Sequence, residues 1–294
     1  MSRGTGLLRA NPHLQIHLCV LLWGFTAILG KLISLAALPL VFWRMAIVAA
    51  CLALWPPVWR GLRRVPPRRL SAAAGVGVLV TVHWLCFYGA IKLANASVAA
   101  TCMGLAPVFL SVVEPLFFGR PFARRELFLA LAAIPGIALV VGGIPAGMQA
   151  GFWLGALAAF LAAVFGILNK RLSTEVPALA LTALEMGAGV LFLGALIPAW
   201  PLLGAGFELP GPADAGWLAV LAIACTLFPF ALSLVALRRL SVFSAQLAVN
   251  LEPVYSIVLA ALLLGEAREL GPAFYLGVAI ILGSVFAHGR GAER

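Results

Sequence analysis

The chain has 294 residues, 63% hydrophobic and 10% charged, with a formal charge of +10, against about a quarter charged in an ordinary soluble domain. A soluble fold is excluded, and at about 20 apolar residues per spanning helix there is room for about ten spans and no sizeable soluble domain. One Asp (Asp214) and nine Glu exclude chemistries that gather divalent metal on clustered aspartates, and in so apolar a chain the basic excess reports membrane orientation rather than nucleic acid.

In chain order, apolar runs bounded by Pro, Gly and Arg predict spans at 14–35, 38–59, 70–91, 96–118, 127–144, 150–169, 176–199, 214–236, 241–264 and 271–288. The expectation is an all-α integral membrane protein with ten transmembrane helices. The first run follows Arg3 and Arg9 as a signal peptide would. It is too long and lacks an early small-residue cleavage site, so it should stay as a helix. Cys19, Cys51, Cys86, Cys102 and Cys225 all fall in apolar stretches without a CxxC pair or a His at ligand spacing. They read as core residues, and no metal or other cofactor is implied. The only Gly-Lys pair, Gly30-Lys31, is followed by Leu32, so no phosphate-cradling loop supports a nucleotide-driven pump.

Basic residues test the count, because successive loops alternate sides. With the N-terminus inside, the cytoplasmic segments carry Arg3, Arg9, Arg60, Arg63, Arg64, Arg68, Arg69, Arg120, Arg124, Arg125, Lys170, Arg171, Arg238, Arg239, Arg290 and Arg294. The external loops carry Lys92 and Arg268. Sixteen against two puts both termini in the cytoplasm, since one missed helix would swap every later loop. Trp55 and Trp59 at inner ends, and Trp153, Trp200 and Trp217 at outer ends, fit interfacial belts. Seventeen Arg to three Lys, with abundant Ala, Gly and Pro, points to a GC-rich bacterial genome and hence the cytoplasmic (inner) membrane.

An offset of 146 residues aligns 95–119 with 241–265 at seven identical positions, among them Pro107 with Pro253 and Gly119 with Gly265. The fourth span thus matches the ninth, dividing the chain into repeats at 1–146 and 147–294. Five helices is an odd number, so the second repeat is expected to be inverted. The five-arginine loop after span 2 accordingly matches a loop after span 7 that has no Lys or Arg and carries Glu208 and Asp214. Inverted repeats around a mid-membrane site are a recurring plan of secondary transporters.

Leu22-Trp23-Gly24, the stretch PLVFWR from Pro39 to Arg44, Ala236-Leu237-Arg238-Arg239-Leu240, and Leu251-Glu252-Pro253-Val254 followed by Leu264-Gly265-Glu266 resemble the drug/metabolite transporter superfamily. The resemblance is to its ten-helix exporters with two EamA-type domains, and covers the whole chain. The first half departs from the pattern, with Ala106 where the second has Glu252 and Arg120 where it has Glu266. His83, Trp84 and Tyr88 in mid-span look most like the aromatic amino-acid exporters. The resemblance implies a transporter, not an enzyme, that exports amino acids or related small metabolites and functions as a monomer in the bilayer.

Ionisable groups inside spans cost about 2.5 to 3.5 kcal/mol each on insertion scales, so each needs an explanation. Lys31 and Arg44 lie near outer ends, where they either snorkel or meet a substrate carboxylate. Glu185 and Glu252 lie deeper and are candidates for proton coupling, Glu252 alternatively bonding the backbone that Pro253 leaves unpaired. Gln246 and Asn250, four apart, share a helix face and either hold a zwitterion or join helices. Trp23, His83, Trp84 and Tyr88 either pack the interior or wall a cavity for an amphipathic solute. The candidate substrate site is therefore Trp23, His83, Trp84, Tyr88, Gln246 and Asn250, with Pro107 and Pro253 as hinges. A proton-coupled multidrug cation exporter would want an essential carboxylate in the cavity. An intramembrane enzyme lacks a nucleophile signature near His83, so no catalytic residue is assigned. A channel lacks its continuous polar lining.

Overall fold

A computed structural model describes residues 11–119, 128, 131–241, 245, 248, 249 and 251–292, and among these no strand occurs. The first helix, α1 (Pro12–Leu32), starts where the Asn11 side chain accepts from the amide of His13 at 2.9 Å and Pro12 brings no N–H to satisfy. Next come α2 (Ala37–Ala53), α3 (Pro56–Leu62), α4 (Pro67–Leu93), α5 (Ala96–Met103), α6 (Ala106–Phe118) and α7 (Ile134–Gly143). The remainder comprises α8 (Gln149–Ser173), α9 (Ala178–Leu196), α10 (Pro212–Ala222), α11 (Phe228–Leu237), α12 (Leu251–Leu263) and α13 (Pro272–Ala292). A π-helical turn, Ile223–Leu227, joins α10 to α11.

Among the described residues six helical runs are long and apolar enough to cross a membrane. They are α1, α4, α5 with α6, α8, α9 with its 3₁₀ extension to Leu203, and α10 with α11. The bent pair of α2 and α3 makes a seventh if counted as one span. At the other three expected spans stand shorter apolar helices, Ile134–Gly143, Leu251–Leu263 and Pro272–Ser284. The expected spans 127–144 and 241–264 lie partly outside the described residues.

One boundary needs correction. The span expected at 38–59 ends at Ala53, and α3 leaves it at 90°. The cause is Pro56-Pro57: the residue before a proline is driven from helical geometry, while proline itself suits the first turn of a new helix. Trp55 and Trp59 go with the turned segment, both about half exposed. Trp200, expected at an outer interface, packs inside the protein rather than on its surface. It is fully buried, its ring 5.9 Å from those of Phe42 and Phe207.

Glycines let the helices meet at backbone distance. A Cβ on Gly151 would lie 2.7 Å from Ala94 Cβ and one on Gly155 2.8 Å from Cys102 Sγ, so this GxxxG face seats α8 on α4 and α5. A Cβ on Gly77 would meet the Glu185 carbonyl oxygen at 2.5 Å, pressing α4 on α9. Gly119 and Gly265, paired by the offset, both adopt left-handed conformations, with φ of 63° and 69°, at the ends of α6 and of the run after α12.

Contacts run mostly between the halves. α4 packs against α8 and α9, α1 against α11 and α12, α2 against α9, α5 against α12, and α7 against α13. Polar ties run both within and between the halves. Lys92, ending α4, donates to the Ile33 carbonyl beyond α1 at 2.5 Å. Arg238, 146 residues later and just after α11, donates to the carbonyls of Ser173, the last residue of α8, and Val176 beyond it at 2.7 and 2.9 Å. Both cations satisfy carbonyls that a helix end leaves open. Ser34, after α1, donates from its amide (2.8 Å) and hydroxyl (2.5 Å) to Asp214 in the first turn of α10. Correspondingly, Arg69 in the first turn of α4 is paired with Glu175 after α8 at 2.5 Å.

Candidate functional site

A cavity of about 130 Å³ lies among α1, α2, α4, α8, α11 and the start of α12. Its apolar wall includes Trp23, Trp84, Phe87, Phe165 and Phe230, and its polar groups are Thr26, Arg44, His83, Asn169, Ser233 and Glu252. The Leu22-Trp23-Gly24 motif divides its labour here: Trp23 lines the cavity while Gly24 admits α12, with Tyr255 Cβ 2.9 Å from where a Cβ would stand. Ser256 Oγ then donates to the Gly24 carbonyl at 3.0 Å.

On α4, His83 Nδ1 is 2.8 Å from the carbonyl oxygen of Ala158. An oxygen can only accept, so Nδ1 carries a proton, and in the neutral ring Nε2 is left as an acceptor. The ring sits edge-on to Phe165 at 5.1 Å and beside Phe87 at 6.3 Å. The next residue, Trp84, meets Phe230 edge-on at 6.2 Å.

The group that sequence reasoning left outside the binding set is Arg44. Of the two alternatives for Lys31 and Arg44, snorkelling suits Lys31, which is exposed. Arg44 is 2% exposed and lines the cavity. Its Cζ stands 3.7 Å above the Trp84 ring, a cation–π contact worth about 2 kcal/mol when desolvated. Its Nε donates to Thr226 Oγ1 and its Nη1 to Tyr88 Oη, both at 2.7 Å. Thr226 in turn donates to the Leu221 carbonyl, five residues back at 2.6 Å, inside the π-helical turn. Such turns widen a helix and expose a backbone acceptor, and this one is what brings a hydroxyl to the guanidinium.

Of the expected site residues, Trp23, His83 and Trp84 come together around the cavity, and Glu252 joins them. Tyr88 stands behind it, fully buried, as the acceptor for Arg44. Gln246 and Asn250 lie outside the described residues. Glu185 is fully buried, with the Asn169 side chain beside its carboxyl. Asn169, on the cavity wall, has an unpartnered Oδ1. No described residue hydrogen-bonds Glu252, and no ion pair joins it to Arg44. Pro107 stands in the first turn of α6, after a tightened turn in which Gly104 and Leu105 bond three residues back, and Pro253 stands in α12, with Ala248 and Val249 helical before it.

An apolar helical bundle around a cavity with aromatic walls and a few polar groups is the architecture of a membrane solute transporter. The EamA-like transporter family matches residues 12–142 and again 149–288, and this chain belongs to it. The chain is 28% identical over 240 residues, 80% of its own length and 76% of the other's, to a probable terminal-alkyne amino-acid exporter of Streptantibioticus cattleyicolor. A solved crystal structure of a protein shares the fold, with a TM-score of 0.65 at 18% identity over 93% of this chain and 94% of that one.

Proposed function

We propose that this protein is a secondary transporter or facilitator that exports amino acids, aromatic or broadly neutral and hydrophobic, or related small metabolites, by alternating access. The observation that carries this reading is the cavity itself, which sets a guanidinium, a carboxyl and an imidazole among tryptophan and phenylalanine rings. Such a chamber suits a solute with polar ends and an apolar body. The exporter relative from Streptantibioticus cattleyicolor supports the substrate class.

The frame for this function is ten helices in two inverted halves, 1–146 and 147–294, with both termini in the cytoplasm of a bacterium and the protein acting as a monomer in its inner membrane. The pairing of contacts supports it. α1 with α11 has its counterpart in α8 with α4, and α1 with α12 in α8 with α5 and α6, while α2 with α9 and α7 with α13 relate to themselves. That α5 begins against the end of the run following α12 supports opposite directions for the matched spans. Pro107 and Pro253 serve as hinges at matched places, and the tightened turn that parts α5 from α6 just before Pro107 supports this. Glu185 and Glu252 are the groups available for proton coupling. Trp23, His83, Trp84, Gln246 and Asn250 contact the solute, with Tyr88 supporting Arg44 from behind.

The test is counterflow in proteoliposomes of labelled phenylalanine and labelled threonine against a permanently charged dye, with and without a pH gradient. Unaltered amino acid should exchange and the dye should not. Recovery of a chemically changed solute would sink the reading in favour of an enzyme, and dye transport lost in Glu185→Gln or Glu252→Gln would favour a cation exporter.

A further inference from the structure

We infer that Arg44 is the carboxylate anchor of the cavity and Glu252 its ammonium partner, so that the site selects solutes carrying both charges on one small backbone. The inference rests on the transport reading and adds to it which group grips which end. Arginine presents five N–H donors. Two are spent, on Thr226 Oγ1 and Tyr88 Oη, and both acceptors are neutral hydroxyls. The other three, on Nη1 and Nη2, meet no acceptor among the described residues.

Trp84 covers one face of the guanidinium at 3.7 Å, which fixes the plane and leaves its free edge to the cavity that Arg44 lines. An arginine kept for stability at this depth would be matched by a carboxylate. Here the fork is oriented, desolvated and unmatched, and its planar geometry fits a carboxylate through two parallel bonds. Glu252 lies on the same cavity without pairing to Arg44, so the chamber offers both signs apart from each other. Trp23, Phe87 and Phe230 supply the wall between them for an apolar side chain.

The experiment measures binding to the purified full-length protein in detergent by tryptophan fluorescence. The probes are phenylalanine, phenylalaninamide (no carboxylate) and 3-phenylpropionate (no ammonium). The wild type should prefer phenylalanine over the amide by about tenfold or more, as one charge-assisted pair supplies. Arg44→Gln should remove that preference while leaving amide affinity unchanged, and Arg44→Lys should keep part of it. Glu252→Gln should weaken phenylalanine and leave 3-phenylpropionate unchanged. A wild type that does not discriminate, an Arg44→Gln variant that still does, or one that loses all three probes alike would overturn the inference. If Arg44→Gln does not fold, the wild-type ratio and Arg44→Lys decide, a lysine variant with the full preference counting against the fork. Arg44-dependent carboxylate preference without amino-acid counterflow would remove the transport reading and leave the anchor standing; counterflow without that preference would do the reverse.

Discussion

Glu266 reaches a helix start 169 residues earlier in the chain, its Oε2 2.8 Å from both the amide nitrogen and the hydroxyl of Ser97, while Oε1 takes the amide of Ala96 at 3.0 Å. The carboxylate is 1% exposed and so replaces water for amides that a helix cannot satisfy by itself. Bonds to charged groups are worth about 1.5 to 3 kcal/mol each. Glu266→Ala should therefore lower stability by about 2 kcal/mol or more, and Glu266→Gln by less, measured by thermal unfolding in detergent. An unchanged melting temperature in the alanine variant would refute this cap.

His83 both faces the cavity and ties α4 to α8 through Ala158. His83→Ala should reduce transport and also cost about 0.5 to 1.5 kcal/mol, the net worth of one hydrogen bond, since the Ala158 carbonyl keeps its partner within α8. Transport rate and unfolding temperature must be measured on one preparation. Normal transport with lost stability would leave His83 a purely structural tie.

Gly77 is the sharpest test of helix approach, because its obstacle is the backbone of Glu185 and cannot rotate away. Gly77→Ala should destabilise by about 1 to 3 kcal/mol through overpacking. Gly75, two residues earlier with nothing within 4 Å of a built Cβ, should accept alanine without loss. The pair is read by thermal unfolding, and equal effects would contradict the packing of α4 on α9.

The ties Ser34–Asp214 and Arg69–Glu175 stand at opposite ends of the proposed frame. Arg69 and Glu175 are 40% and 45% exposed, so breaking them should change stability by about 1 kcal/mol at most. Their effect should show in the distribution of states. A single cysteine at Ser233, with the five native cysteines replaced, reports access to the cavity from either side. Asp214→Asn should speed labelling by an external impermeant reagent, and Glu175→Gln labelling from the inside. The same response to both changes would contradict opposite gates.

Much of the frame was legible because punctuation by proline, glycine and arginine is local. The matched glycines at 119 and 265 do cap their runs, and Trp23, His83, Trp84 and Glu252 do share one cavity. For Arg44 the sequence leaves snorkelling and a substrate carboxylate both open, because a place near an outer span end suits either. Yet α2 starts at Ala37, which sets Arg44 about 10 Å along the helix at 1.5 Å per residue. Its partners Tyr88 and Thr226 are 44 and 182 residues away, and the π-helical turn that presents Thr226 leaves no periodic signal. Asn169 and Ser233 were missed for a like reason: one polar residue on an apolar helix carries no mark of which side it faces.

The interleaving of the halves sets an order for assembly. α4 must wait for α8 and α9, and α1 for α11 and α12, yet a ribosome delivers the first group well before the second, at about 5 to 20 residues per second. For that interval the slots beside Gly77 and Gly24, which Glu185 and Tyr255 later fill, lie open to lipid, and Arg44 lacks the hydroxyl of Thr226. The early helices are thus a half-built receptacle, and folding is completed by the chain's own later half arriving as its template.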